Sequence, residues 1–503
     1  MKKYKKIVSW LLAASVVFTV GCSPIGPVGI APDYSDATYQ FEFYDYGGPT
    51  DGAYNEYGVN YHTGEDYRTV ERFKEYKDSG MTLYFPQIYA AYGGVTSWEN
   101  SEAKRVIDTA AEAGLDRTIL NDWRIYRISE VAGGIVGEGK KFATEAELDA
   151  FLEDCLDDYI YDEHIYGVTL GDEPPYGALK AYGETYRSIE RVAKKLRPDG
   201  EFFIHTNLIG CFNSTNAPVW YGEARVDTTG MSPIDIIYAR YANYIETYFE
   251  ETAASYVQCD MYPLNEGSID DTFVRGLRTV ADVCKKLDKD FWFINQAMAL
   301  QTPERTQRFM TEADARWVNN LAIGFGVRGL GYYTYWRRAD NNEREYIHDY
   351  SSFISQYGEK CDLYYSMQKI MAEEQKLAPT ILSCRYNASA VYRIIPSLTL
   401  TNYCSGFKND EFVALKQVTI NKECALVTEL YDENKGNYLY MVQNLVDPLN
   451  SGRNVYQMTT LKFDDKYKSA VVWYHGEPKL VSLKNSILSV KLQPGDAAFI
   501  MPY

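Results

Sequence analysis

The 503-residue chain is acidic, with 69 Asp and Glu against 51 Lys and Arg and a formal net charge of −18, so nucleic acid is not expected as a partner. Its length allows a large hydrophobic core without disulfide bonds, and none of its nine cysteines stands in a Cys-Xaa-Xaa-Cys pair. The sequence contains no HExxH zinc motif, calcium-loop spacing or glycine-rich nucleotide loop, so we predict no metal or other cofactor.

The N-terminus predicts export. Four lysines among the first six residues precede an apolar run from Ile7 to Val20, which is too short to span a bilayer comfortably and has the form of a secretory signal. The run ends in Thr19-Val20-Gly21-Cys22, which resembles the lipobox of bacterial lipoproteins. Thr19 departs from the usual leucine, so an ordinary cleaved signal is the alternative.

We therefore predict a lipoprotein signal peptide over residues 1–21 and lipidation of Cys22. Residues 22–36 are rich in Pro, Gly and Ser and predict a tether. The protein is then expected outside the cytoplasm, at the bacterial cell surface, with a lipid anchor on Cys22 in the membrane.

Residues 37–345 predict a (β/α)₈ TIM barrel. Segments of helical period separate eight apolar or β-branched runs, as in an alternation of strands and helices. A doubly wound open sheet is the rival, but it would normally show a glycine-rich turn after its first strand. The runs are Tyr39–Tyr44, Met81–Tyr89, Arg117–Leu120, Tyr166–Leu170, Phe202–His205, Tyr256–Met261, Phe291–Asn295 and Val327–Tyr333.

The pattern changes after the barrel. Residues 346–384 predict a helical bridge, and residues 385–503 show short alternating strands separated by turns. The segment from Leu492 to Ile500 has the pattern of a strand, a Pro-Gly turn and a final strand. We predict a C-terminal antiparallel β-sandwich domain over 385–503.

The most informative segment is Gly171-Asp172-Glu173-Pro174, in which an apolar strand ends in two carboxylates and a rigid turn. The carboxyl end of a strand is the catalytic face of a (β/α)₈ barrel, so Glu173 is the candidate general acid. Pro174 favours extended geometry at Glu173, and Gly171 allows another group to approach the backbone closely. The alternative is a helix N-terminus at which acidic residues are favoured by the macrodipole.

These motifs make the chain resemble the retaining barrel glycoside hydrolases that carry a C-terminal β-sandwich. In that clan the fourth strand ends in Asn-Glu-Pro, with Glu as acid/base and Asn bound to the sugar 2-hydroxyl. The resemblance gives Glu173 the acid/base role and places Asp172 where the clan has Asn. It rests also on Cys259–Pro263, on Tyr332–Trp336 and on the closing Pro494-Gly495.

A second departure concerns the nucleophile, which that clan places as Glu at the end of strand seven. This chain has Gln296 there, which cannot attack an anomeric carbon as a carboxylate would. The second carboxylate then comes from elsewhere, or the reaction is inverting or substrate-assisted, or the barrel only binds. Asp260 is the preferred second carboxylate, with Asp122 and Glu42 as alternatives, at about 5–5.5 Å from Glu173 for retention or about 6.5–9.5 Å for inversion.

Several polar and aromatic residues at predicted strand ends are candidates for sugar binding. Asn207 and Gln296 have amides that can bond hydroxyls, whereas His205 is better explained as a structural residue. Exposed aromatic rings can stack on pyranose faces, although each of them can equally belong to the core. The aromatic candidates are Trp123, Tyr262, Tyr335 and Trp336.

The sequence thus predicts an extracytoplasmic glycoside hydrolase that cleaves O-glycosidic bonds of an oligo- or polysaccharide. Its catalytic residues are expected to be Glu173 as general acid with Asp260 and Asp172. The alternative is a non-catalytic glycan-binding surface lipoprotein on a degenerate barrel, suggested by Gln296.

Overall fold

The computed structural model describes residues 28–49, 66–90, 97–212, 217–222, 226–299, 306–336, 352–355, 358–393, 404, 406–450 and 455–503. The predicted signal peptide, Cys22 and residues 22–27 of the predicted tether lie outside the described residues. Within the described ranges, no helix is both long enough and apolar enough to cross a membrane.

The first part of the chain forms two four-stranded parallel sheets, with strand orders β2-β3-β4-β5 and β1-β8-β7-β6. Buried apolar residues dominate these strands, as expected for parallel sheets covered on their faces. The strands are β1 (Glu42–Asp45), β2 (Tyr84–Tyr89), β3 (Thr118–Asp122), β4 (Ile165–Asp172), β5 (Phe203–Asn207), β6 (Tyr256–Met261), β7 (Asp290–Gln296) and β8 (Val327–Tyr333). A small hairpin, Leu264–Asn265 with Ser268–Ile269, follows β6.

Backbone hydrogen bonds link the edges of the two sheets. The Leu208 amide donates to the Gln258 carbonyl at 2.9 Å, just beyond the end of β5. At the other edge, the Thr82 amide donates to the Phe43 carbonyl at 2.8 Å. The two sheets therefore contact each other at both sides.

Helices connect the parallel strands and pack around them. Polar side chains cap several of their N-termini, for example Thr69, Ser101 and Ser232, because the first helical amides lack partners within the helix. The helices are α1 (Val70–Asp78), α2 (Glu102–Glu112), α3 (Trp123–Ser129), α4 (Glu145–Asp157), α5 (Leu179–Leu196), α6 (Ala217–Tyr221), α7 (Pro233–Thr252), α8 (Phe273–Leu287), α9 (Glu312–Gly324) and α10 (Asp362–Ile381).

Antiparallel strands follow α10. They form a six-stranded sheet of order β9-β11-β12-β17-β14-β15 and a three-stranded sheet of order β10-β13-β16. One buried apolar cluster takes residues from both sheets, among them Val442 and Leu461. The strands are β9 (Arg385–Tyr392), β10 (Leu415–Lys422), β11 (Ala425–Asp432), β12 (Asn437–Asn444), β13 (Gln457–Phe463), β14 (Ser469–Tyr474), β15 (Glu477–Ser482), β16 (Ile487–Leu492) and β17 (Ala497–Pro502).

The expected fold class is confirmed at this level: parallel strands alternate with helices, and separate antiparallel sheets follow. The carboxyl ends of β4, β5 and β6 lie side by side, because β4 pairs with β5 and Leu208 bridges to Cys259. This edge carries four of the residues singled out from the sequence, Asp172, Glu173, Asn207 and Asp260.

Candidate active site

The turn after β4 places Glu173 in an unusual backbone conformation, with φ +48°. The expectation of extended geometry before Pro174 was wrong. Glu173 N donates to the Asn207 carbonyl at 2.8 Å, and Tyr244 Oη donates to the Pro174 carbonyl. These bonds hold a conformation that a non-glycine residue adopts only at a cost, and such strain concentrates at functional sites.

Glu173 shares a side-chain hydrogen bond with Asp260 from the adjacent region of β6. Burial, together with repulsion from Asp260 and Asp172, raises the pKa of Glu173 far above that of an ordinary glutamate. Burial and repulsion from Asp172 also raise the pKa of Asp260, but hydrogen bonds from Tyr262 and Glu173 oppose this rise. The arrangement therefore has a protonated Glu173 donating to an ionised Asp260.

Asp172 is exposed beside this pair and is held by two neighbours. Asn207 Nδ2 donates to Asp172 Oδ1 at 2.8 Å, and Asp172 N donates to Glu130 Oε1 at 3.1 Å. Tyr126 in turn forms a side-chain hydrogen bond with Glu130. Asp172 is thus an exposed carboxylate that is held in place beside the acid pair.

A cavity of about 200 Å³ opens onto the acid pair. Glu173, Asp260 and Tyr262 contribute its polar wall, and the segment after β5 forms another side. A side chain at Gly210 would clash there, since its Cβ would lie 1.9 Å from the Asp260 carbonyl oxygen. The remaining lining residues are Ile209, Gly210, Cys211, Phe212, Met261, Pro263, Asp270, Thr272 and Phe273.

Three buried polar atoms around the acid pair have no hydrogen-bond partner among the described residues: Asp260 Oδ1, Asn207 Oδ1 and Tyr46 Oη. Tyr46 follows β1, and the charges of Asp172 and Asp260 act on its hydroxyl, whose pKa is raised first by burial. Leaving a buried polar group unpaired is costly, so a bound molecule with complementary donors and acceptors would relieve that cost.

The two alternative second carboxylates are committed to ion pairs. Asp122 caps α3 and binds the Arg124 guanidinium at 2.7 Å. Glu42 accepts two 2.7 Å bonds from Arg117. Among the three candidates, Asp260 is the one that contacts Glu173.

The Gln296 amide is used within the fold. It accepts a hydrogen bond from Leu264 N at 2.9 Å and donates to the Leu264 carbonyl at 3.2 Å, and the residue is fully buried. These hydrogen bonds show that Gln296 fixes the backbone at Leu264, just after β6. A role of Gln296 in substrate binding stays a prediction, and its contacts do not support it.

The predicted aromatic residues fall into two groups. Tyr335 and Trp336 are buried, with Tyr335 packed edge-on against Tyr76 at 4.8 Å and Trp336 packed against Tyr67 at the same distance. Their rings belong to the core, so the structure does not offer them as sugar platforms.

Of the other two rings, one lines the cavity and the other lies near the acid pair. Tyr262 lines the cavity, and Trp123 is half-buried and stacks on Tyr126, with centroids 5.1 Å apart and planes 11° apart. Because the charges of Asp172 and Glu173 act on Tyr126, this stacked pair stands near the acid pair.

His205 is buried and neutral, as expected of a structural residue. Burial lowers the pKa of His205 to about 3. Gln258 Nε2 lies 3.0 Å from His205 Nε2, so the amide donates to that nitrogen, and Nδ1 bonds the Thr169 hydroxyl at 3.0 Å.

Sequence reasoning missed Tyr46, Tyr126, Glu130 and Tyr244. Tyr46 stands directly after a predicted strand in Tyr44-Asp45-Tyr46, so its position was a usable signal. The other three lie within α7 or around α3, where no local pattern distinguishes them from the many other tyrosines and acids. In the part of the chain that the structure describes, no group of three or more His, Cys, Asp or Glu has the arrangement of a metal site.

No protein-family model and no curated protein matches the sequence. Among solved structures, the chain is similar to a glycoside hydrolase family 5 from Bacteroides vulgatus ATCC 8482, with 12% identity and a TM-score of 0.44 over 92% of this chain and 88% of that chain. An Anoxybacillus alpha-amylase has 10% identity and a TM-score of 0.42, covering 94% of this chain and 98% of its own.

A beta-galactosidase from the psychrophilic Marinomonas ef1 has 10% identity and a TM-score of 0.40 over 68% of this chain, which spans only 60% of that enzyme. Likenesses this low carry no residue's role from those proteins to this chain.

Proposed function

We propose that the chain is a glycoside hydrolase that cleaves O-glycosidic bonds with Glu173 as the general acid. The hydrogen-bonded pair of Glu173 and Asp260, facing a cavity at the carboxyl ends of parallel strands, carries this proposal. We further propose that the two parallel sheets are the halves of one (β/α)₈ barrel, supported by the hydrogen bonds at both of their edges.

Glu173 would protonate the leaving oxygen of the scissile bond. Its raised pKa keeps the proton in place at neutral pH, and the ionised Asp260 accepts its hydrogen bond until the glycosidic oxygen takes that position. The turn that holds Glu173 fixes the direction in which the proton is presented.

A carboxylate nucleophile is the least supported second component. Glu173 and Asp260 share a direct hydrogen bond. Their carboxyl groups are therefore closer together than the separation of about 5–5.5 Å for retention or about 6.5–9.5 Å for inversion. Asp172, which is held by Asn207, would stabilise positive charge at the anomeric carbon. The reaction would then be inverting, with Asp172 taking a proton from the water that attacks the anomeric carbon, or substrate-assisted.

A glycan-binding protein without catalysis is the second candidate. Gln296 stands where the resembling clan has its nucleophile, and this is the observation that favours it. A binder has no need for a protonated, strained acid in its cavity, and Glu173 therefore favours the hydrolase.

The test compares the wild type with Glu173→Gln on aryl glycosides and on plant and host glycans. Gln keeps the size and hydrogen bonding of Glu but has no proton to transfer, so turnover should fall by about 10²–10⁴-fold while glycan binding survives. Substrates with good leaving groups should lose less, because they need little protonation.

Glu374→Gln is the matched control. Glu374 is also buried with a raised pKa, but Asn319 binds it in the packing of α10, outside the site. Its replacement should leave turnover unchanged.

Wild-type protein that binds a glycan tightly and cleaves none of the panel would favour the binder. Nuclear magnetic resonance of the first product anomer separates inversion from retention, and retention on sugars without a 2-acetamido group would contradict both favoured mechanisms.

We also propose that the protein acts outside the cytoplasm, anchored through a lipid on Cys22. The lysine-rich apolar N-terminus and the lipobox-like Thr19–Cys22 support this location. Cys22→Ala should release the protein from the membrane fraction, and Cys155→Ala, a buried thiol of α4, should not. Membrane association that survives Cys22→Ala would refute the anchor.

A further inference from the structure

Two cysteine thiols meet inside the C-terminal antiparallel region. Cys404 and Cys424 are both fully buried, and their side chains are within hydrogen-bonding contact. They lie 20 positions apart in the sequence, and both belong to the same apolar core cluster.

The positions of the two residues bring separate backbone segments together. Cys424 stands in the tight turn between β10 and β11, and its carbonyl accepts a hydrogen bond from Leu445 N at 3.0 Å. The next residue, Ala425, pairs with Tyr392 at the end of β9. Tyr392 at the end of β9 and Cys404 therefore both lie next to the turn that carries Cys424.

We propose that Cys404 and Cys424 form a disulfide bond in the mature protein. The contact already brings the two sulfurs together, and a covalent link would tie Cys404 to the turn between β10 and β11. The proposed location outside the cytoplasm would supply the oxidant, a protein disulfide of the oxidising compartment, and to that extent the inference rests on the proposed export.

The chemistry is thiol–disulfide exchange during folding, before burial closes access to the thiols. The thiolate of one cysteine attacks a sulfur of the oxidant and releases one thiolate of it, leaving a mixed disulfide. The second cysteine thiolate then attacks the sulfur of the first and releases the oxidant's other thiolate. Two cysteine thiols lose two protons and two electrons, and the oxidant becomes a dithiol.

The experiment isolates the full chain from the cell envelope, denatures it without reductant in iodoacetamide and analyses its peptides by mass spectrometry. We expect one linked pair of peptides containing Cys404 and Cys424, and an alkylated Cys155. Envelope protein in which both Cys404 and Cys424 carry the alkyl group would overturn the disulfide.

Fractionation reports the location independently of the thiols, so the two proposals fail separately. A chain found only in the cytoplasm would refute export, and that full chain is then unfolded and refolded with glutathione disulfide present, so that the oxidant reaches the thiols before they are buried. Alkylation of both thiols after this treatment also overturns the disulfide.

Variants give a second readout that does not depend on peptide recovery. Reductant should lower the thermal midpoint of the envelope-isolated wild type and of Cys155→Ala, because both keep the crosslink to lose. Cys424→Ala should have the low midpoint with and without reductant. An equal effect of reductant on Cys424→Ala and on the wild type would contradict the assignment.

Discussion

Glu173 combines three properties that each destabilise a folded protein. It has a positive φ, it is largely removed from water, and two carboxylates stand beside it. A folded protein keeps a residue in this conformation only when the surrounding structure fixes its backbone. Here hydrogen bonds with Asn207 and Tyr244 fix it. We infer that stability is given up at this position for a proton that remains bound at neutral pH.

This trade predicts a pH-dependent gain in stability for Glu173→Gln. The folded protein binds the Glu173 proton more tightly than the unfolded chain, so the contribution of this group to stability is full below the unfolded pKa and is lost as pH rises towards the raised folded value. The thermal midpoint of Glu173→Gln should therefore exceed that of the wild type by an amount that grows from pH 5 to pH 8. The free-energy slope is at most about 1.4 kcal/mol per pH unit.

Because Glu173 and Asp260 titrate as a pair, Asp260→Asn serves as the comparison. It removes one charge next to Glu173, and the pH dependence of the Glu173→Gln difference should be smaller in that background. A constant midpoint difference across the pH range would mean that Glu173 is ionised in the folded protein.

Tyr46 should affect activity and stability in opposite directions. Its hydroxyl is buried without a partner among the described residues, and its ring packs edge-on to Phe85 at 4.5 Å. Tyr46→Phe keeps the ring and removes an unpaired hydroxyl, so the thermal midpoint should stay or rise. If the hydroxyl binds the substrate or its transition state, kcat/KM should fall by about 10-fold.

Tyr76→Phe is the control for that prediction. Tyr76 is also a buried tyrosine near β1, but its hydroxyl donates to the Leu83 carbonyl at 3.0 Å. Its removal should lower the midpoint and leave kcat/KM unchanged. A Tyr46→Phe variant with the Tyr76→Phe pattern would assign Tyr46 to structure alone.

At the scale of elements, the sequence predicted the parallel strands, whose positions depend on the pattern of neighbouring residues. The eight parallel strands lie close to the predicted runs, since their apolar character follows from burial on both faces. β4 was predictable together with its terminal carboxylates, because the strand and the acid lie in one contiguous segment.

The predictions were wrong where tertiary contacts determine the backbone conformation or the burial of a side chain. Pro174 favours extended geometry at Glu173, but the bonds from Tyr244 and to Asn207, on elements distant in sequence, impose a positive φ. Tyr335 and Trp336 follow β8 as expected, yet Tyr76 and Tyr67 cover them, which no local pattern reveals.

The site likewise divides between contiguous and assembled parts. Glu173 and Asp172 were predicted from one motif, whereas the contact of Glu173 with Asp260 depends on the position of β6 next to β5. Asp260 stays a prediction as the second carboxylate, and its direct hydrogen bond with Glu173 was not foreseen. Hydrogen-bonding distance depends on the path of two turns, which spacing in sequence does not determine.

At the scale of the whole molecule, a buried ion-pair cluster joins the parallel and antiparallel regions. Arg308 binds Asp314 at 2.5 Å and Asp447 at 2.8 Å, and all three side chains are almost fully buried. Asp314 belongs to the capping box that starts α9, and Asp447 lies after β12. One guanidinium therefore holds two carboxylates from the two regions together.

Removal of that guanidinium should uncouple the two regions. Arg308→Met keeps much of the side-chain volume but leaves two buried carboxylates facing each other, so unfolding should become easier by about 3–5 kcal/mol. Arg191→Met is the control, because Arg191 pairs with Asp149 at 2.7 Å while 42% exposed, and its loss should cost about 0–1 kcal/mol. Urea denaturation followed by tryptophan fluorescence measures both, and for Arg308→Met we expect a separate early transition.

Adding Asp447→Asn to Arg308→Met should recover part of the loss, since it removes one of the two repelling charges. If Arg308→Met behaved like Arg191→Met, the cluster would contribute nothing to the association of the two regions.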